Sequence, residues 1–128
     1  MNKKIILTAL IFGIVSIVLG AFGAHALKKI LSVDQLASFE VGVKYLMYEA
    51  FFLLFIGTTA LLLEKQKRII FYFALFGSVL FSGSIFLLTT KAISGIDFKF
   101  LGPITPIGGL LIIVSWGITF YYIVVKKV

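Results

Sequence analysis

Few residues in this chain have the chemistry to do work. One His, no Cys and five acidic residues stand in 128. His25 sits in "LGAFGAHALKK", where a long apolar run ends in small residues and two lysines, and Glu49 sits in "GVKYLMYEAFFLL", followed by the uncharged stretch 50–63. An acid at the centre of a membrane helix costs about 2.5 to 3.5 kcal/mol on insertion scales, and less near the surface. Glu49 should therefore face protein and find a partner. Counting along helices, His25 falls roughly 30 Å from the opposite membrane face and Glu49 about 6 Å deeper than His25. Both then lie in the outer quarter of adjacent helices, where a His25–Glu49 contact is sterically reasonable. Tyr45, one turn before Glu49 on the same helix face, is a further donor. His25, Glu49 and Tyr45 form the candidate polar or ligand site, serving either as a structural clasp or as a proton-titrating or ligand-binding centre.

No other constellation competes. Without Cys there is no thiolate metal site or thiol chemistry, and four of the five acids are scattered through connections, so no nucleophile with its base and no dense metal cluster can be drawn. The Gly pairs do not follow a strand, which excludes phosphate loops. The expectation is a protein that is not an enzyme, with no cofactor and no metal.

The elements that must position these residues follow from composition. With 61% hydrophobic and 13% charged residues and a mean hydropathy of +1.16, the chain lies outside the range of soluble domains, where about 25% is charged. It is expected to be a single transmembrane domain over 1–128, with spans at about 5–25, 41–63, 69–90 and 105–125, each long enough for roughly 30 Å of hydrocarbon. Continuous apolar runs argue against the alternating strands of a barrel, and backbone satisfaction in lipid then requires helices. The fold class is thus all-α, an integral membrane four-helix bundle. A secretory signal cleaved at Ala24-His25-Ala26 is the competing reading of the first segment, but its apolar run exceeds the roughly 7 to 15 residues of such signals. The net charge of +7 reads as span orientation and contact with anionic lipid rather than nucleic-acid binding. Seven basic residues (Lys3, Lys4, Lys65, Lys67, Arg68, Lys126, Lys127) fall on one side and five (Lys28, Lys29, Lys44, Lys91, Lys99) on the other. The tight clusters of the first set predict both termini in the cytoplasm.

The connections carry local signals. Ser32 with Gln35 matches a capping box; with Leu36, Phe39 and Val43 at helical spacing, it predicts a helix from near Val33 into the second span, and so a short amphipathic helix between spans 1 and 2. Gly95 with Asp97 suggests a turn, and Thr105 before Pro106 an N-cap with Pro at the first helical position. Small residues predict the packing seams: Gly20 and Gly23 in the first span, Ser82, Gly83 and Ser84 in the third, and Pro103, Thr105, Pro106, Gly108 and Gly109 around the start of the fourth. The serines of "LFSGSIF" could instead line a polar path. Trp116 reads as core or as glue between helices, its N–H needing a partner.

Four segments together, "LGAFGAHAL", "GVKYLMYEAFFLL", "GSVLFSGSIFLL" and "LGPITPIGGLLIIVSWG", resemble the YgdD/YwdK-like family of small bacterial inner-membrane proteins, domain of unknown function 423. The resemblance covers nearly the whole chain and implies a multi-pass protein of the bacterial cytoplasmic (inner) membrane with four helices. It carries no biochemical activity. That family often has His where this chain has Glu49, and Gln where it has Leu46, which implies a polar position and weakens a two-His metal site. The function expected is an accessory or scaffold component acting through membrane lipid, a second copy or another membrane protein. The alternative is a small oligomeric transporter or channel with a proton-titrating Glu49/His25 site.

Overall fold

A computed structural model describes residues 2–126. Every regular element in it is helical: α1 (Asn2–His25), a 3₁₀ turn (Leu27–Lys29), α2 (Val33–Thr58), α3 (Glu64–Ser78), a π turn (Val79–Gly83), α4 (Ser84–Thr89), α5 (Lys91–Ser94), a second 3₁₀ turn (Lys99–Leu101) and α6 (Ile104–Val124). The stretches Asn2–Lys29, Glu64–Thr89 and Lys99–Val124 are each long and apolar enough to cross a membrane. α2 is as long, at 26 residues, but carries Lys44 and Glu49 within its length.

Local chemistry explains the starts and stops. The capping box is present: Gln35 N donates to Ser32 Oγ at 3.1 Å and Ser32 N to Gln35 Oε1 at 3.0 Å. This satisfies two of the donors that a helix start leaves unpaired. α2 runs on without a break, so the expected amphipathic helix between the first two spans is the opening of α2 itself, with Val33 exposed and Phe39 buried. At its other end α2 stops at Thr58, short of residue 63, and the following turn is closed where Leu63 N donates to Gln66 Oε1 at 2.9 Å. Gly95 adopts the left-handed conformation at φ 72°, where a side chain would be strained. Asp97 beside it pairs with Lys91 at 3.4 Å and accepts from Lys99 N at 3.1 Å.

The start of α6 departs from expectation. The helix begins at Ile104 with Pro103 in the capping position and no side-chain cap. Thr105 is therefore inside the helix, its hydroxyl hydrogen-bonded to that of Ser84. Pro106 is the third helical residue and still loses no bond, because the first four N–H groups of a helix have no partner within it.

Successive long helices run antiparallel. Gly23 lies against Phe39 and Gly57 against Ile5 and Ile6, which fixes α1 on α2; Gly42 lies against Ile85 and Phe86, and Gly77 against Ile112. The core is built from Ile5, Ala9 and Phe12, from Leu46, Ala50, Leu53 and Ile56, and from Ile70, Phe71 and Ala74. Outward faces are apolar too, with Ile11, Ile14 and Ile17 on α1 and Leu110, Ile113 and Phe120 on α6 all exposed. That is the pattern of helices solvated by lipid tails. At one end Lys4 Nζ donates to Tyr72 Oη at 2.9 Å and Lys67 Nζ to Asn2 Oδ1 at 3.2 Å. This gathers the basic residues near Lys4 with those of 65–68. Lys127, counted in the same set, lies outside the described residues.

A candidate polar site between α2 and α6

Helical spacing places Tyr45, Glu49 and Phe52 on one side of α2, and Ile112, Trp116 and Phe120 on one side of α6. The two faces meet at Glu49. Its side chain is buried, only 2% exposed, and Trp116 Nε1 donates to its Oε1 at 2.8 Å. Its Oε2 has no hydrogen-bond partner among the described residues. The indole also stacks on Phe52, with ring centroids 4.5 Å apart and planes 16° from parallel. Trp116 is itself half exposed, so it covers the carboxyl from outside. It is interhelical glue, as its N–H suggested, but not core.

His25 stands elsewhere. It is the last residue of α1, exposed, and makes no side-chain hydrogen bond among the described residues. The register of α1 on α2 explains the separation. Gly20 lies against Val43 and Gly13 against Ala50, so His25 is level with the first turns of α2, and Glu49 is level with the middle of α1. They are about 15 Å apart along the bundle, at 1.5 Å per residue. The expected depth put Glu49 only about 6 Å below His25; α2 instead packs on α1 from about Phe39 onward, which carries Glu49 further down. Tyr45 is engaged by rings, Phe81 at 5.2 Å and Tyr48 at 5.4 Å, rather than by the carboxyl.

Two other buried hydroxyls without a partner among the described residues, Ser16 on α1 and Ser78 on α3, fall at the level of Glu49 by the registers of α1 and α3 on α2. The remaining small and polar positions work at seams. A Cβ on Gly108 would sit 2.3 Å from Phe81 N and 2.8 Å from Gly77 O, so α3 and α6 touch backbone to backbone there. A Cβ on Gly109 would lie 3.4 Å from the Phe81 ring, and one on Gly20 3.4 Å from Val43. Ser82 Oγ donates to Gly42 O at 2.8 Å across to α2, and Ser84 joins Thr105 across to α6. Gly83, expected at a seam, is not at one: a Cβ there would meet nothing within 4 Å among the described residues.

Beside the Glu49–Trp116 bond, an open groove runs between α2 and α6 in two sections. One, of about 320 Å³, is lined by Tyr45, Tyr48, Glu49, Ile112, Ile113 and Trp116. The other, of about 630 Å³, continues past Phe51, Phe52, Phe55 and Phe120. Among the described residues no group of three or more His, Cys, Asp and Glu side chains could hold a metal ion. The partner of Glu49 was within reach of sequence reasoning: the chain has a single Trp, whose N–H needs an acceptor, and Glu49 is the acid set deepest in an apolar run.

Helices of this length and apolarity, with apolar side chains facing outward, define a small multi-pass membrane protein. The chain belongs to the family described as protein of unknown function DUF423, whose pattern matches residues 19–109. It is 36% identical to a UPF0382 membrane protein of Haemophilus influenzae over 90% of this chain and 88% of that one. It is 39% identical to UPF0382 membrane protein SSP2132 of Staphylococcus saprophyticus over 76% and 77% of the two chains. With the UPF0382 inner membrane protein YgdD of Escherichia coli it shares 31% identity over 91% and 86%. No solved structure matches the chain. Its place is the bacterial inner membrane, as a multi-pass protein.

Proposed function

We propose that the chain crosses the membrane four times, with α2 as the second span and both termini in the cytoplasm, and that it is a non-enzymatic accessory or scaffold component acting through lipid or protein contacts within the bilayer. The observation that carries this reading is the outward apolar face that α1 and α6 present along their length, with Ile11, Ile14, Ile17, Leu110, Ile113 and Phe120 exposed. The surface on offer is a membrane surface. Gathering Lys4 with Tyr72 and Lys67 with Asn2 at one end supports the orientation through the excess of basic residues on cytoplasmic loops. A transporter with a shared Glu49/His25 site is not adopted, because its two residues stand at different levels.

Native mass spectrometry of the protein, gently extracted from its own membrane, tests the accessory role. A stoichiometric complex with another membrane protein is expected, and the bare chain in every extraction would overturn it. Terminal tags reachable only from the cytoplasmic side test the orientation.

A further inference from the structure

We propose that the groove between α2 and α6 binds a membrane-dissolved molecule with one hydrocarbon chain and one neutral hydroxyl, which donates a hydrogen bond to Oε2 of Glu49. This rests on the reading that α2 crosses the bilayer beside α6, but not on the accessory role.

The groove selects the chain. Its longer section is walled by Phe51, Phe52, Phe55, Trp116 and Phe120. From Tyr45 to Phe55 it extends about 15 Å at helical rise, and its 630 Å³ falls in the size range of small-molecule pockets.

Glu49 selects the head. Its Oε1 is taken by Trp116, and its Oε2 is buried without a partner among the described residues, on a side chain that lines the shorter section. Buried polar atoms are rarely left so in a folded protein, since each costs the desolvation it cannot recover. A donor that enters the groove and shifts the half-exposed indole of Trp116 completes it. Depth decides what kind of donor. Glu49 is level with Gly13 to Ser16, near the middle of α1 and so near the bilayer midplane, where a phospholipid head or an ammonium would be expensive. A single hydroxyl on a hydrocarbon chain can reside there.

Trp116, the only tryptophan, lines both sections and reports occupancy. The test titrates the full chain in detergent with three probes: a mid-chain brominated dodecanol, its methyl ether and the corresponding brominated dodecane. Bromine quenches indole emission on contact. Saturable quenching by the alcohol is expected, with the ether and the alkane giving only the non-saturating quenching of micelle partition. Glu49→Leu should weaken the alcohol's apparent affinity about ten-fold, the share that a hydrogen bond to a carboxyl carries. Ile113→Phe, on the lipid-exposed wall of the groove, should weaken it without touching Glu49, and decides the matter alone if the first variant does not fold.

Indistinguishable, non-saturating quenching by all three probes overturns the site. Saturable quenching by all three that Glu49→Leu leaves unchanged overturns the role of the carboxyl. Absence of quenching together with a mass of two chains in the same detergent overturns it in favour of a second copy. A tag study placing the two ends of α2 on the same side of the membrane would instead sink the four-span reading.

Discussion

The seam between α3 and α6 and the seam between α1 and α2 are both marked by glycines, yet they are built differently. At Gly108 the two backbones touch, so that a Cβ would lie 2.3 Å from Phe81 N. At Gly13 a Cβ would rest 4.0 Å from that of Ala50, ordinary contact. In the first seam glycine is a steric necessity against backbone, whereas in the second the tight positions, Gly57 and Gly23, would meet side chains, Ile6 at 2.7 Å and Phe39 at 3.1 Å, and Gly13 leaves room to spare. In lipid, where no hydrophobic effect drives helix against helix, close approach of backbones is a main source of attraction. The two seams therefore differ in what an added methyl group would meet, and periodicity alone cannot tell them apart.

Gly108→Ala should do the most damage. The clashing atoms are backbone, so α6 must move away from the π turn, at a cost of about 3 kcal/mol, read as a fall in the stability of detergent-solubilised protein toward SDS. A loss below about 1 kcal/mol would put the two seams on one footing. Gly42→Ala meets the edge of the Phe86 ring at 2.8 Å, a side chain that can yield, so about 1 to 2 kcal/mol is expected. Phe86→Leu in the same chain should restore most of it. Trp116→Phe keeps the stack on Phe52 but leaves Oε1 of Glu49 without its donor, for about 1 to 2 kcal/mol; a double-mutant cycle with Glu49→Leu isolates the bond, and zero coupling would deny it. Gly13→Ala should change stability by no more than about 0.5 kcal/mol in either direction, which thermal unfolding can check against the first variant. Gly117→Ala, with nothing within 4 Å of the new atom, should stabilise α6 slightly, by about 0.5 kcal/mol, through reduced freedom of the unfolded chain.

What could be read from residues alone was what short range decides. Ser32 and Gln35 cap α2 because the two groups are three residues apart and need nothing else. The apolar runs named the long helices for the same reason, and the need of Glu49 for a donor was legible from its charge. The depth of Glu49 was not, because it depends on how far α1 slides along α2. Gly20 and Gly23 permit that register without announcing it. Thr105 looked like a cap by its neighbour Pro106, but the hydroxyl of Ser84, twenty-one residues away, took its side chain. The groove was hidden for a similar reason: its walls come from two helices that are not neighbours in sequence.

The π turn at Val79–Gly83 acts as a phase shift. An extra residue in one turn rotates everything after it by about 100° relative to everything before. Gly77, before the turn, faces α6, while Ser82, within it, reaches the backbone of α2, and Ser84, past it, returns to α6 through Thr105. Deleting one residue from the five would leave the hydropathy of the third long helix almost untouched while throwing its second half out of phase with both neighbours. For this chain, then, the number of residues in that turn is information of the same kind as their identity.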